Sequence, residues 1–264
     1  MHTAATSRVQ THTKINGFTL IELMVAMVIG MVVIGAAISM FRTTISHQRS
    51  IRFTSQLQEE SFFLSHVLRQ QIAQIGYRPI DDLKVDGRIM PIDDRQTAFP
   101  EVPNSWEQGQ TIKVVGNSFF YRYYGASNEM DTVDFSVFDC LGNPVAEGSV
   151  RENAISLKNN QVVCTVETNS AVIAGADEGV LIEKIVYELG IDDDGDRKID
   201  RNIDTATATN TDFINAKQLI VRLLFSTPNG VAVQKQPYMF NGAQFDSTDR
   251  KLRLESEVSM ALRN

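Results

Sequence analysis

From Phe18 to Phe41 the chain is a hydrophobic run whose only charged residue is the carboxylate Glu22. As a helix, those 24 residues reach about 36 Å, enough to cross a bilayer core. Beyond Phe41 the pattern turns mixed. Phe53, Leu57, Leu64, Leu68, Ile72 and Ile75 recur at near-helical spacing, so the helix is expected to continue as an amphipathic half over 42–76. Gly76 and Pro79 form a stop signal, which predicts one helix from Phe18 to Ile75 whose second half lies against a sheet. After a loop-like stretch rich in Asp, Pro and Gly (79–109), the period shifts towards two. Strands are predicted at Thr111–Val115, Ser118–Tyr124, Thr132–Phe138, Ala154–Leu157, Gln161–Val166, Val180–Leu189, Lys217–Ser226, Val231–Gln234 and Leu252–Leu262. Asn159-Asn160 and Asn229-Gly230 read as hairpin turns, because Asn and Gly tolerate positive φ. One long helix followed by antiparallel strands is an α+β fold, with residues 77–264 as one β-rich globular domain.

The apolar run follows a polar start of seventeen residues that ends at Gly17 and carries Arg8 and Lys14 but no acid. A secretory signal would place its cut after the apolar stretch; here a cut after Gly17 removes only the leader. The two cations hold the leader on the cytoplasmic side and send the remainder outward. A charge in lipid costs about 2.5–3.5 kcal/mol, so Glu22 calls for a partner. The ammonium released at Phe18 is one, and the amino terminus of a neighbouring copy is another.

Lys14-Ile15-Asn16-Gly17 followed by Phe18-Thr19-Leu20-Ile21-Glu22 resembles the class III signal of type IV pilins and type II secretion pseudopilins. The resemblance implies a prepilin peptidase that cuts between Gly17 and Phe18 and methylates Phe18, and a Glu22 that neutralises the amine during filament assembly. Further on, Arg69–Arg78, Val186–Asp196, a Cys-x-Gly segment at Cys140 and the closing Leu252–Asn264 resemble landmarks of the PilW family of minor pilins. A pilin-like fold is then implied: a membrane-spanning half-helix (18–41), an amphipathic half (42–76) and a sheet domain. The implied protein is stored in the inner membrane as a single-pass subunit with a periplasmic domain, and then joins the tip or priming complex of a pilus. Its implied partners are other minor pilins, the major pilin and a pilus-tip adhesin. A secretion pseudopilin of GspJ type is similar in the same residues, and a membrane-anchored calcium-dependent adhesin is a reading of another class.

With the leader removed, 23 basic residues face 32 acidic ones, a net charge of −9 that argues against nucleic-acid binding. Cys140 and Cys164 are the only cysteines, and in an oxidising compartment such a pair closes to a disulfide. Two buried thiols are the alternative, and zinc lacks the ligands it needs. Asp192, Asp194, Asp196 and Asp200 occupy positions 1, 3, 5 and 9 of a calcium loop, with Lys198 at position 7, where a backbone carbonyl serves. Arg197 replaces the usual Gly and Ile203 the usual Glu, which points to a Ca²⁺ site of modest affinity. A solvated turn is the alternative, but alternate carboxylates repel unless a cation offsets them. Only His47 and His66 remain outside the leader, and phosphate-loop and zinc-protease motifs are absent, so no enzyme is expected. Asp81-Asp82 and Asp93-Asp94 read as turns, and the aromatic run Phe119–Tyr124 as sheet core plus a surface face.

Overall fold

Thr19 opens the described chain and helix α1 follows at once, over Leu20–Ile72. The computed structural model describes residues 19–78, 84–85, 88–89, 99–126, 137–146, 148–175, 179–196 and 198–262. The expected leader (1–17), with Gly17 at its end, and Phe18 lie outside those residues. So do the Asp81-Asp82 and Asp93-Asp94 pairs, Arg197 and residues 132–136 of one expected strand. Two units divide the chain, one ending at Gln48 and the other beginning at Arg49.

In the first unit the side chains of α1 from Leu20 to Phe41 are almost all exposed and apolar. Among the described residues this is the one helix long and apolar enough to cross a membrane. Within the second unit, α1 buries Leu57, Ser61, Leu64, Leu68, Gln71 and Ile72. That spacing of three and four keeps one face turned to the sheet. The helix ends at Ile72 rather than Ile75; residues 73–76 form a turn that Gly76 closes at φ 71°. A positive φ there suits glycine, which has no Cβ to clash.

A short antiparallel pair, β1 (Lys84–Val85) and β2 (Arg88–Ile89), precedes a five-stranded meander. The meander runs β3 (Ile112–Val115), β4 (Ser118–Tyr124), β5 (Val150–Lys158), β6 (Gln161–Val166) and β7 (Asn169–Ala174), in that spatial order. A second sheet has four strands, in the spatial order Arg253–Ala261, Ala216–Ser226, Leu181–Ile191 and Arg201–Asp204. Its strands are β8 (Leu181–Ile191), β9 (Arg201–Asp204), β10 (Ala216–Ser226) and β13 (Arg253–Ala261), with helix α2 (Asn210–Asn215) between β9 and β10. β11 (Tyr238–Phe240) and β12 (Ala243–Phe245) form a separate hairpin. Every strand pairing among the described residues is antiparallel. The α+β architecture expected from the hydrophobic pattern is therefore present.

Both sheets and the second-unit part of α1 share one core. Leu64, Leu68 and Ile72 belong to one buried cluster with Phe119, Tyr121 and Tyr123 of β4 and Tyr187 and Leu189 of β8. Each such buried side chain contributes about 1.5–3 kcal/mol. Phe119 stacks on Tyr121 at 5.5 Å and on Tyr187 at 5.3 Å, which joins the two sheets. Residues 119, 121 and 123 point inward by strand alternation, as expected.

The opposite face of β4 is covered too, because Arg122 organises the segment before β3. Its guanidinium donates to the carbonyls of Gln110 (2.6 Å), Pro100 (2.9 Å), Phe99 (3.3 Å) and Glu107 (3.1 Å), and lies over the rings of Trp106 and Phe99. Burial lowers its pKa to about 10, so it stays charged at neutral pH. What the composition marks as loop is, over 99–110, a segment fixed by Arg122 through four backbone carbonyls and by Lys113 at Ser105.

Three expectations are corrected. Val231–Gln234 is not a strand, and Asn229-Gly230 does not close a hairpin. β10, the strand just before residues 231–234, is already paired on both sides, by β8 and by β13 from Gln218↔Ala261 to Ser226↔Arg253, so those residues cannot fold back onto it as a hairpin partner. Likewise the described part of Thr132–Phe138 is no strand; Phe138 makes only an isolated bridge to Pro144. Asn159-Asn160 does form its turn, with φ of 51° and 61°, between Lys158 and Gln161.

Candidate functional site

At the start of α1 the lone carboxylate has a partner within its own chain. Glu22 accepts from the amide and the hydroxyl of Thr19 at 3.0 and 3.1 Å, and its own amide donates to the Thr19 hydroxyl at 3.3 Å. Thr19 is thus the N-cap and Glu22 the third helical residue of a reciprocal capping box. That arrangement satisfies amide groups that a helix otherwise leaves without partners. The sequence reading supplied only amino-terminal ammonium groups as partners; the Thr-x-x-Glu spacing already signalled this one.

The acidic loop occupies the nine residues between Ile191 of β8 and Arg201 of β9, which are themselves paired. Asp192, buried, and Asp194 and Asp200, exposed, bring carboxylate oxygens within 4.8 Å of one another. Short local bonds shape the turn: Gly195 N–H to Asp192 (2.7 Å), Asp196 N–H to Asp194 (3.0 Å) and Asp193 N–H to Asp200 (2.8 Å). Asp196 does not join that group. Its carboxylate accepts from the Lys198 ammonium (2.7 Å) and amide (2.8 Å), which together hold it below the usual carboxylate range.

The remaining loop acid is tied to α2. Arg201 grips Asp193 with Nε at 2.8 Å and reaches Asp212 at 2.5 Å with Nη2. Asp212 completes a second capping box with Thr209. The Thr209 hydroxyl and amide and then Arg201 lower its pKa to about 2. The sequence reading passed over Arg201 and Asp212, although Thr209-x-x-Asp212 is again a cap signature. In chemical terms, two of the five nearby acids are neutralised by Lys198 and Arg201, and three converge. Three carboxylates fit a hard divalent cation that takes its other oxygens from carbonyls and water.

Cys140 and Cys164 form the expected disulfide, with Cα atoms 6.0 Å apart. It ties the turn organised by Asp139, which accepts from the amides of Leu141 and Asn143, to β6. Val166, Leu141 and Ile173 pack around it. His47 and His66 are exposed and adjoin no nucleophile–acid set among the described residues.

Residues 12–38 match the family model described as the prokaryotic N-terminal methylation motif, a type IV prepilin signal. The chain thus carries a prokaryotic N-terminal methylation motif, and the apolar helix α1 begins inside it. Among solved structures, a type IV-like pilin from Thermus thermophilus aligns with 80% of this chain and 95% of its own, at 11% identity and a TM-score of 0.42. No curated protein matches the chain significantly.

Proposed function

We propose that the chain is a minor type IV pilin of the PilW type, a structural subunit of a tip or priming complex that promotes pilus assembly and catalyses nothing. The methylation-motif match over 12–38 carries this reading, since it joins the Gly17-Phe18 junction, Thr19 and Glu22 to a membrane-length helix. In this reading a prepilin peptidase cuts after Gly17 and the apolar half of α1 holds the subunit in the inner membrane. The sheet domain faces the periplasm until the helix enters the filament, where other minor pilins and the major pilin are the partners. Glu22, kept in place by Thr19, meets an amino-terminal ammonium during entry.

We further propose that Asp192, Asp194 and Asp200 hold a Ca²⁺ ion, supported by their convergence and by the separate neutralisation of Asp193 and Asp196. The ion would supply charge neutralisation to the β8–β9 turn. Asp196, expected as a ligand, would then stay paired with the Lys198 ammonium unless the metal displaces the lysine, while the part expected of Lys198, its backbone carbonyl, is unaffected by that pair.

Immunogold labelling of pili from cells expressing an epitope-tagged chain tests minor status. Sparse or tip-restricted gold is expected; dense labelling along the whole fibre would make it a bulk subunit. Gly17 replaced by a bulky residue is expected to leave the unprocessed mass in the membrane. A normal mature mass in that variant would remove the processing junction from the reading.

A further inference from the structure

The two larger sheets have four edges, and three of them carry charge. β13 presents Arg253, Glu255 and Glu257; β9 has Arg201 and Asp204; the Lys113 ammonium of β3 is fixed to Ser105 and lies over Trp106. Charged edges resist the addition of another strand. β7 differs. Its six residues, Asn169–Ala174, hold no charge, and Asn169 to Val172 are exposed. Among the described residues β7 pairs with β6 alone, so its outer side has no strand partner.

Beside this edge lies a groove of about 320 Å³, lined by Glu59, Glu60 and Phe63 of α1 and by Val172, Ile173 and Ala174. Phe63 and Val172 are each 51% exposed, so the groove offers apolar surface to solvent. Its acids are unbalanced. Neither Glu59 nor Glu60 takes part in an ion pair among the described residues. Burial, and then the Glu59 charge, raises the Glu60 carboxyl above its ordinary range. An incoming cation would offset both by favouring the charged carboxylates.

We propose that β7 accepts an extended, basic segment of a partner protein as a sixth strand. The added strand would place an apolar side chain against Phe63 and Val172, and a Lys or Arg two residues away against Glu59 and Glu60. Residues two apart share a face, so one face of the guest strand serves both needs. Backbone hydrogen bonds to the edge give affinity and the alternate side chains give selectivity. A second copy offering its own β7 does not fit, because Asn169–Ala174 brings no cation to the acids.

The probe is a synthetic peptide, Thr-Val-Thr-Val-Thr-Lys-Thr, added to the full mature chain in detergent micelles and read by amide hydrogen exchange. The expected result is slowed exchange confined to 169–174, with a peptide carrying Glu in place of Lys binding at least about tenfold more weakly. A peptide N-methylated at alternate amides is expected to give no protection. In the doubly substituted Glu59→Gln, Glu60→Gln chain the Lys and Glu peptides should bind alike, while an unchanged thermal midpoint shows that the fold is intact. Equal binding of the Lys and Glu peptides to the native chain overturns the proposal. So does protection by the N-methylated peptide, or no protection at all. Protection of β7 that rises with protein concentration and needs no peptide would make a second copy the occupant, and overturns it too.

Discussion

The phenol of Tyr121 donates to the side-chain oxygen of Gln71 at 2.8 Å inside the core, joining β4 to α1 across 50 residues of sequence. The same phenol lies 3.1 Å from the Asn153 amide group, which also reaches Tyr123 at 2.9 Å. Asn153 therefore serves two phenols and Gln71 one. Gln71→Leu is expected to cost about 1 kcal/mol, and Asn153→Leu more, about 2–3 kcal/mol, because it leaves two buried hydroxyls short of a partner. Urea unfolding of the two variants gives the order, and a larger loss for Gln71→Leu would contradict the network.

The Cys140–Cys164 bridge spans 24 residues. A loop of that size restricts the unfolded chain by an amount worth roughly 3 kcal/mol. Substituting both cysteines with serine should lower the urea midpoint accordingly without changing the sheet signal in circular dichroism. A loss under 1 kcal/mol would mean that the packing of Leu141, Val166 and Ile173 carries the region alone.

Glu22 combines two roles that substitutions can separate. Glu22→Gln keeps an acceptor for the Thr19 cap and removes the charge, whereas Thr19→Ala keeps the charge and removes the cap hydroxyl. If the charge governs filament entry, Glu22→Gln is processed to normal mass but enters pili poorly, and Thr19→Ala has the milder defect. Quantified subunit in sheared pili decides between them.

Calcium should raise the thermal midpoint of the chain, and a chelator should reverse the rise. At a tenfold excess of free metal over its dissociation constant, the stabilisation is about 1.4 kcal/mol. Asp192→Asn, Asp194→Asn and Asp200→Asn should each weaken the response more than Asp196→Asn, whose carboxylate is turned to Lys198. An equal loss for Asp196→Asn would show that metal binding displaces the lysine.

Asp212 titrates at about 2 in the folded chain, against roughly 3.9 in an unfolded one. A lowered folded pKa adds stability that is present above the unfolded value and is lost as pH falls through the folded one. Asp249, held well down by hydrogen bonds from Arg253, acts in the same direction. Stability should therefore decline between about pH 4 and pH 2, and Asp212→Asn should flatten part of that decline. Urea midpoints taken across this window measure the difference.

The sequence by itself determined the elements whose signal is local. The apolar run through Phe41, the strands β4 and β6 and the Asn159-Asn160 turn were legible, because hydrophobic period and positive-φ residues act over a few positions. β7 escaped notice because it follows Glu167-Thr168, a turn with φ 55° at Glu167 that side-chain preference does not announce. The reverse happened at Asn229-Gly230, where a good turn signal met a sheet edge already filled by β13, while Asn241-Gly242 became the hairpin. In the acidic loop, spacing nominated four aspartates. Only the fold brought Arg201 to Asp193 and left Asp192, Asp194 and Asp200 as the converging set. Which acids face a cation and which acquire an ion-pair partner depends on chain segments that become neighbours only on folding, and that choice belonged to the tertiary structure.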